Sequence, residues 1–376
     1  MAAVGPIDAA LAASGADVHL AGVHDLKRKS ALDLVVSGLW SRRCADLTRK
    51  LLAGLPVGET IVHVHAWQRA LTTATLCAIR DSAHPLLLTL HEYGTACPNQ
   101  GFFDYQRNQI CTRHALGAAC LATHCDTRTY GHKLWRAGRV ALQRAAAGVP
   151  STVDDVIYVS ERSRQLLHPY FSAHTHWHIV RNPISAIRES RVPAEQHRSF
   201  LFVGRITPEK GAELFAASAH DANVHARIAG DGPVLARIKS SYPSVECLGW
   251  LSKHEVHAAL RTARALVFPS LWYEVQGLVV QEAMAHGVPA LVADGTAARE
   301  FVEHAVTGLH FRHMDREDLT RVLSQVDRDD ELVSRLSHAA YDRYWNDPPL
   351  LERHVEALLR VYEQCLSRRT AKVYAS

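Results

Sequence analysis

Residues Phe268 to Ala285 read FPSLWYEVQGLVVQEAMA and set Glu274 and Glu282 eight positions apart across a loop-to-helix junction. Pro269, Ser270 and Gly277 are turn formers, whereas Leu278 to Ala285 holds good helix formers apart from two valines. The run ARALVF, Ala263 to Phe268, reads as a strand ending just before the loop. A strand, a short loop and a helix opening at a glycine turn backbone N–H groups and the positive helix end toward an anion. One glutamate then precedes the helix and the other lies about a turn inside it, at the mouth of one crevice. Two carboxylates beside an anion site imply a ligand that is part phosphate and part polyhydroxylated. A nucleotide sugar meets that description.

Outward from this segment, strand-like and helix-like stretches alternate. Strands are expected at Val18 to Val23, Ile61 to Val64, Leu86 to Leu90, Val156 to Val159, Phe200 to Val203, Val224 to Ala229, Ala265 to Phe268 and Ala290 to Ala293. Helical segments lie between most of them, the pattern of parallel sheets covered on both faces. The segment Ile179-Val180-Arg181-Asn182-Pro183 breaks the rhythm, because the residue before a proline leaves the helical region. The expected division is an N-terminal domain over 1–180, carrying a cysteine-containing loop at 97–125, and a C-terminal domain over 199–347. Residues 348–376 form a helix returning toward the first domain, with Leu351, Val355, Leu358, Leu359 and Tyr362 on its apolar face.

The second half has the denser chemistry. FLFVGRITPEKG, Phe200 to Gly211, is a buried-type strand followed by Gly204, then Arg205 and Lys210 around a turn on Pro208. A glycine directly after a strand lets the backbone approach a ligand, and two cations five residues apart can bracket a pyrophosphate. Hydrogen bonds to charged groups contribute roughly 1.5–3 kcal/mol each. A solvated surface turn is the plainer account of the same residues. VHARIAGDGP ends a further strand at Gly230-Asp231-Gly232, where an ordinary strand-to-helix connection serves as well. CLGWLSKHEV carries Trp250 and Leu251 before a capping box of Ser252 and Glu255.

In combination, VGRITPEKG, AGDGP, GWLS and WYEVQGLVVQEAMA resemble the retaining glycosyltransferases of family 4, over most of residues 155 to 365. The resemblance implies an α/β GT-B fold, two Rossmann-like domains facing a central cleft, with the nucleotide sugar held by the C-terminal one. It implies a nucleoside diphosphate sugar as donor, retention of anomeric configuration, no redox cofactor and no metal for catalysis. By position, Arg205 and Lys210 would neutralise the diphosphate, Glu282 would accept from ribose hydroxyls, and Glu274 would hold a donor-sugar hydroxyl. The N–H groups of Gly277 and Leu278 would meet phosphate, with Gly204, Gly230, Asp231, Gly232, Trp250 and Leu251 lining the rest of the pocket. Gln276 stands where the family has an apolar residue, so donor preference is open. The glutamates are not expected to act as a hydrolase acid/base pair. In such chains a strand, a Gly-Gly loop and a helix come first. Only Gly5 and Gly15 precede Val18 here, so the N-terminal domain is expected to lack its first βα unit.

In the first half, strand Leu86 to Leu90 delivers His91 to a C-terminal sheet edge, where parallel sheets present ligands. The resemblance makes His91 the contact to the donor sugar, and His65 a second candidate. A satisfied polar residue is the alternative for either. Cys97, Cys111, Cys120 and Cys125, with 13, 8 and 4 intervening residues, match no standard finger. A structural zinc on these four, free thiols and disulfides all stay open. Two basic amphipathic stretches, Ser30 to Leu55 and His132 to Arg144, fit either peripheral contact with the inner membrane or core helices with a solvated side.

The 376-residue chain has a formal net charge of +4, too small to argue for nucleic acid. With 47% hydrophobic and 21% charged residues it has ordinary globular composition. The sequence shows no basic-then-apolar leader, so a cytoplasmic location, peripheral at the membrane face, is expected. The function expected is transfer of a sugar to a glycan or lipid-linked acceptor in bacterial exopolysaccharide, capsule or lipopolysaccharide synthesis. Its alternatives are a non-catalytic nucleotide- or glycan-binding protein of GT-B fold and a GT-B nucleotide-sugar epimerase.

Overall fold

The computed structural model describes residues 6–13, 38–69 and 71–374. The expected strand Val18 to Val23 and the start of the Ser30 to Leu55 stretch lie outside the described residues. Two compact units make up the chain. The first comprises Met1–Phe102, Thr112–Pro183 and Pro349–Ser376; the second comprises Phe103–Cys111 and Ile184–Pro348.

The strands of the first half are β1 (Val62–His65), β2 (Leu86–Thr89), the antiparallel pair β3 (Phe103–Asp104) and β4 (Gln109–Ile110), β5 (Asp155–Tyr158) and β6 (His176–Ile179). In the first unit β1-β2-β5-β6 form one parallel sheet in that order. Helix Leu351–Tyr374 covers it, and Val355, Leu358, Val361 and Cys365 are buried with Leu87, Ile157 and Val180. Their spacing keeps one stripe of the helix on the sheet.

Helix Tyr130–Leu142 and the turn after it, open to reading as a membrane face or as a core helix with a solvated side, use Lys133, Arg139 and Arg144 internally. Lys133 is fully buried, with its ammonium on the carbonyls of Cys120 and Leu121. Arg139 donates to the Leu71 carbonyl (2.8 Å) between the rings of Trp67 and Trp135, and Arg144 lies over Tyr170. Short of solvent, each cation needs a carbonyl or an aromatic face, and each has one.

The second unit holds β7 (Ser199–Val203), β8 (His225–Ala229), β9 (Glu246–Gly249), β10 (Ala263–Phe268), β11 (Ala290–Ala293) and β12 (Gly308–Phe311). They form one parallel sheet ordered β12-β11-β10-β7-β8-β9. Numbered from its own first strand this is 3-2-1-4-5-6, the doubly wound dinucleotide-binding order, with the reversal between β7 and β10. Both faces are covered, so alternate residues feed two cores. Phe200, Phe202, Ala265, Val267, Leu291 and Ala293 face one; Leu201, Leu266, Phe268, Ala290 and Val292 face the other.

Besides the short pair β3 and β4, three longer strands, β6, β9 and β12, are not among those expected from the sequence. Each is an edge strand. Their sequences HWHI, ECLG and GLHF lack the continuous apolar run that marks a strand covered on both faces.

Candidate active site

The reversal of strand order between β7 and β10 opens a crevice at their C-terminal ends, where such sheets take ligands. The loop after β7 carries Arg205 to Gly211, and the loop after β10 carries Pro269 to Gly277. Backbone bonds stitch them together. The Leu271 N–H donates to the Glu209 carbonyl (2.8 Å), and the Ser270 hydroxyl donates to it at 3.4 Å.

Gly211 makes the contact sterically feasible. Its φ is +73°, and a Cβ there would lie 2.0 Å from the Pro269 carbonyl oxygen. Only glycine allows the loops to come this close.

Across the junction Lys210 Nζ donates to Glu274 Oε1 at 2.6 Å. The same oxygen accepts from Ser270 Oγ at 2.7 Å. The lysine ammonium also sits 5.0 Å from the Trp272 ring centroid. Glu274 is buried and adopts φ +52°, a left-handed conformation unusual for a non-glycine residue. Such strained positions cluster at functional sites. Ser270, Trp272 and Gly211 belong to this arrangement, although in the sequence they figure only as turn or background residues. The signal for Ser270 is its place four residues before Glu274 on one tight loop.

Arg205 reaches outward, its side chain 70% exposed and its guanidinium 4.0 Å from Glu209. Gly277, at φ +82°, caps helix Leu278–His286, so the first N–H groups of that helix open on the same loop. Gln276 is buried. Glu282 is half-buried within that helix, and its charge is felt by Tyr344, whose phenol burial pushes up to about 12. The loops after β7, β8 and β9 are tied in a row. Gly204 N–H donates to Ala229, Ile206 N–H to Asp231, and Gly230 N–H to Gly249. Asp231 bonds the Gly232 N–H at 2.7 Å. Trp250 beyond β9 is 76% exposed, an unusual placement for an indole, while Leu251 is half-buried. The capping box of Ser252 and Glu255 is formed.

In the first unit, His65 at the end of β1 and His91 just beyond β2 meet, Nδ1 to Nε2, at 2.9 Å. Desolvation within the packed ring cluster lowers both to a pKa of about 4, although His65 keeps an exposed edge, with His354 (and, for His91, also His65) adding repulsion. The His63 ring lies 4.0 Å from that of His65, tilted by 42°, and bonds Tyr362 (2.7 Å) and Thr89 (2.6 Å). At neutral pH these rings are uncharged hydrogen-bonding groups.

Of the three readings left open for Cys97, Cys111, Cys120 and Cys125, disulfides are not formed: all four are free cysteines. Among the described residues, the set of three ligand-type side chains that gathers is Asp155, His178 and Cys365. Cys97, Cys120 and Cys125, all buried in the first unit, do not converge. Cys125 Sγ accepts from Asn99 at 3.0 Å instead, and the Lys133 ammonium beside Cys120 opposes a second cation there. Cys111 falls in the segment grouped with the second unit.

Known proteins share parts of this arrangement. Residues 183–343 match the family model described as Glycosyl transferases group 1. The GDP-mannose-dependent alpha-mannosyltransferase of Corynebacterium glutamicum is 26% identical over 157 residues, which is 42% of this chain and 38% of that one. The chain thus spans about two fifths of the length of that relative. Among solved structures, the sucrose-phosphate synthase of Thermosynechococcus elongatus aligns with a TM-score of 0.69 at 17% identity, covering 96% of this chain and 92% of its own. Anabaena HepE, solved in complex with UDP-glucose, aligns at 0.56 and 16% identity over 86% and 82%. The fold is therefore GT-B, built of two Rossmann-like domains, and the match to Glycosyl transferases group 1 falls almost wholly in the second unit.

Proposed function

We propose that the protein is a retaining glycosyltransferase that moves a sugar from a nucleoside diphosphate sugar to a glycan or lipid-linked acceptor in bacterial surface-polysaccharide assembly. The observation that carries this reading is the 2.6 Å contact of Lys210 with Glu274, made by the two loops that flank the reversal of strand order. An ammonium and a carboxylate there match a ligand with a diphosphate and a sugar.

The departing nucleoside diphosphate gains negative charge, so stabilising that charge is the main catalytic demand. Lys210, Arg205 and the N–H groups of Gly277 and Leu278 would oppose it. Glu274, fixed by Ser270, would orient Lys210 and take a donor hydroxyl, and Glu282 would hold the ribose. Gly204, Gly230, Asp231, Gly232, Trp250, Leu251 and Gln276 complete the proposed donor pocket. The neutral His91 imidazole suits a hydrogen bond to a sugar hydroxyl. Helix Arg42–Leu52, with Arg42, Arg43, Arg49 and Lys50 exposed beside partly exposed Leu47 and Leu51, supports peripheral contact with an anionic membrane. Among the described residues no helix is long and apolar enough to cross one.

Thermal-shift screening against UDP-, GDP- and ADP-sugars tests the donor site, because a ligand at about 100 times its Kd adds roughly 2.7 kcal/mol. Arg205→Ala and Glu282→Ala should each abolish the shift. Shifts equal to those of the parent in both variants would remove the donor from this crevice. Donor turnover that requires an acceptor separates a transferase from a binding protein, and product formed without acceptor would indicate epimerisation instead.

A further inference from the structure

The loop after β10 is tethered from three sides, all within the second unit. Leu271 uses both of its backbone polar groups. Its N–H donates to Glu209 in the loop after β7 at 2.8 Å, and its carbonyl accepts from the ring of His313, just beyond β12, at 2.9 Å. Two residues on, the Tyr273 carbonyl accepts from the Ala297 N–H beyond β11 at 2.8 Å. Trp272 therefore sits between two anchored carbonyls, and its ring lies against the Lys210 ammonium. Glu274 comes next in the chain and completes the ion pair with Lys210.

His313 is itself held in place. Its backbone N–H donates to the Asp294 carboxylate at 2.9 Å. Its half-buried ring packs so closely on Gly295 that a Cβ at 295 would come within 2.7 Å of it. A carbonyl can only accept, so His313 Nε2 carries the proton shared with Leu271. The imidazolium keeps that proton too, so the bond does not depend on the charge of the ring. The tethers to Glu209 and Ala297 join backbone to backbone and are open to almost any side chain. The tether from His313 depends on the identity of the residue.

We propose that His313 is a positioning residue for the donor site. Its Nε2–H fixes the Leu271 carbonyl, 42 positions away in the chain, and through it the segment that sets Trp272 and Glu274 against Lys210. This inference rests on the donor reading of the crevice and adds to it a residue from the loop after β12. An unbraced loop would have to be ordered when the diphosphate arrives, whereas a braced one has Lys210 and Glu274 in place beforehand, which lowers the cost of binding.

Two substitutions separate the bond from the packing. His313→Gln keeps an amide N–H near the place of Nε2, whereas His313→Phe keeps a ring beside Gly295 and has no N–H. Hydrogen exchange of the ligand-free full chain, followed by mass spectrometry, reads the brace directly. In His313→Phe, peptides over 269–277 should exchange about tenfold faster than in the parent, while those over β8 keep parental rates. His313→Gln should match the parent in both. Calorimetric titration with UDP-glucose, GDP-mannose and ADP-glucose reads the consequence for binding. For the one that binds the parent, His313→Phe should raise Kd about two- to tenfold, the range for one lost hydrogen bond, and His313→Gln by less than about twofold. Parental exchange in His313→Phe, equal loss in both variants, or faster exchange with an unchanged Kd would each overturn the proposal. Failure of the parent to bind any of the three counts against the donor reading instead, and the exchange rates then decide the brace. If His313→Phe does not fold, His313→Ala replaces it under the same outcomes.

Discussion

Gly211 decides how closely the Lys210 and Glu274 loops approach, and it does so by having no side chain. Ala at this position meets two penalties together: a left-handed backbone at φ +73° and a methyl 2.0 Å from a carbonyl oxygen that is itself held in the neighbouring loop. Backbone cannot yield as a flexible side chain would. Gly211→Ala is therefore expected to lose at least about 2 kcal/mol in denaturant unfolding, and to lose donor-induced stabilisation as the ion pair is pried apart. Gly138 supplies the control. It lies inside helix Tyr130–Leu142, and a methyl added there would meet no atom within 4 Å, so Gly138→Ala should gain about 0.5–1 kcal/mol. Equal effects of the two substitutions would contradict the steric account. At this scale the sequence disclosed Lys210 and Glu274 through their types and spacing. It hid Ser270 and Gly211, whose roles exist only because two loops remote in the chain touch, Lys210 and Glu274 being 64 positions apart.

Among elements, the ends of β1 and β2 carry the histidine cluster, and its charge state ties folding to pH. His65 and His91 titrate near 4 in the folded protein against 6.5 when unfolded, so between these values the unfolded chain binds more protons. Stability then rises with pH through the window and falls as pH drops from about 6.5 toward 4. The groups facing the pair are His63 and His354, both also lowered, so no carboxylate among these neighbours relieves the repulsion. Melting temperature measured from pH 7 to 4.5 should decline, and His65→Gln should flatten that decline. A variant with the parent's pH slope would show that other groups control acid sensitivity. The strands beneath were legible where both faces are covered, as in β7, β10 and β11, because burial on both sides demands an unbroken apolar run. Edge strands β6, β9 and β12 escape the same rule: with a neighbour on one side only, HWHI, ECLG and GLHF have no need of it. Histidine-rich β6 is further masked by Arg181-Asn182-Pro183, which reads as the start of a linker.

For the whole molecule, the chain passes between the units twice, briefly at Phe103–Cys111 and then at length, leaving after Pro183 and coming back at Pro349. The last helix therefore belongs energetically to the first unit. Val355, Leu358 and Val361 are each buried there, and removing them would open Leu87, Ile157 and Val180 to water. Burying one such side chain contributes about 1.5–3 kcal/mol, so losing the whole stripe consumes most or all of the roughly 5–15 kcal/mol that holds a domain folded. The second unit has its own two cores, and the proposed donor loops lie wholly within it. A chain ending at Pro348 should accordingly lose the cooperative melting of the first unit and keep that of the second. Calorimetry in the presence of the nucleotide sugar that stabilises the parent would show one remaining transition, still raised by the donor. If truncation abolishes both transitions together, the units fold as one cooperative body and stability cannot be apportioned between them. If it leaves both intact, the apolar stripe of Leu351–Tyr374 is dispensable and the burial argument fails.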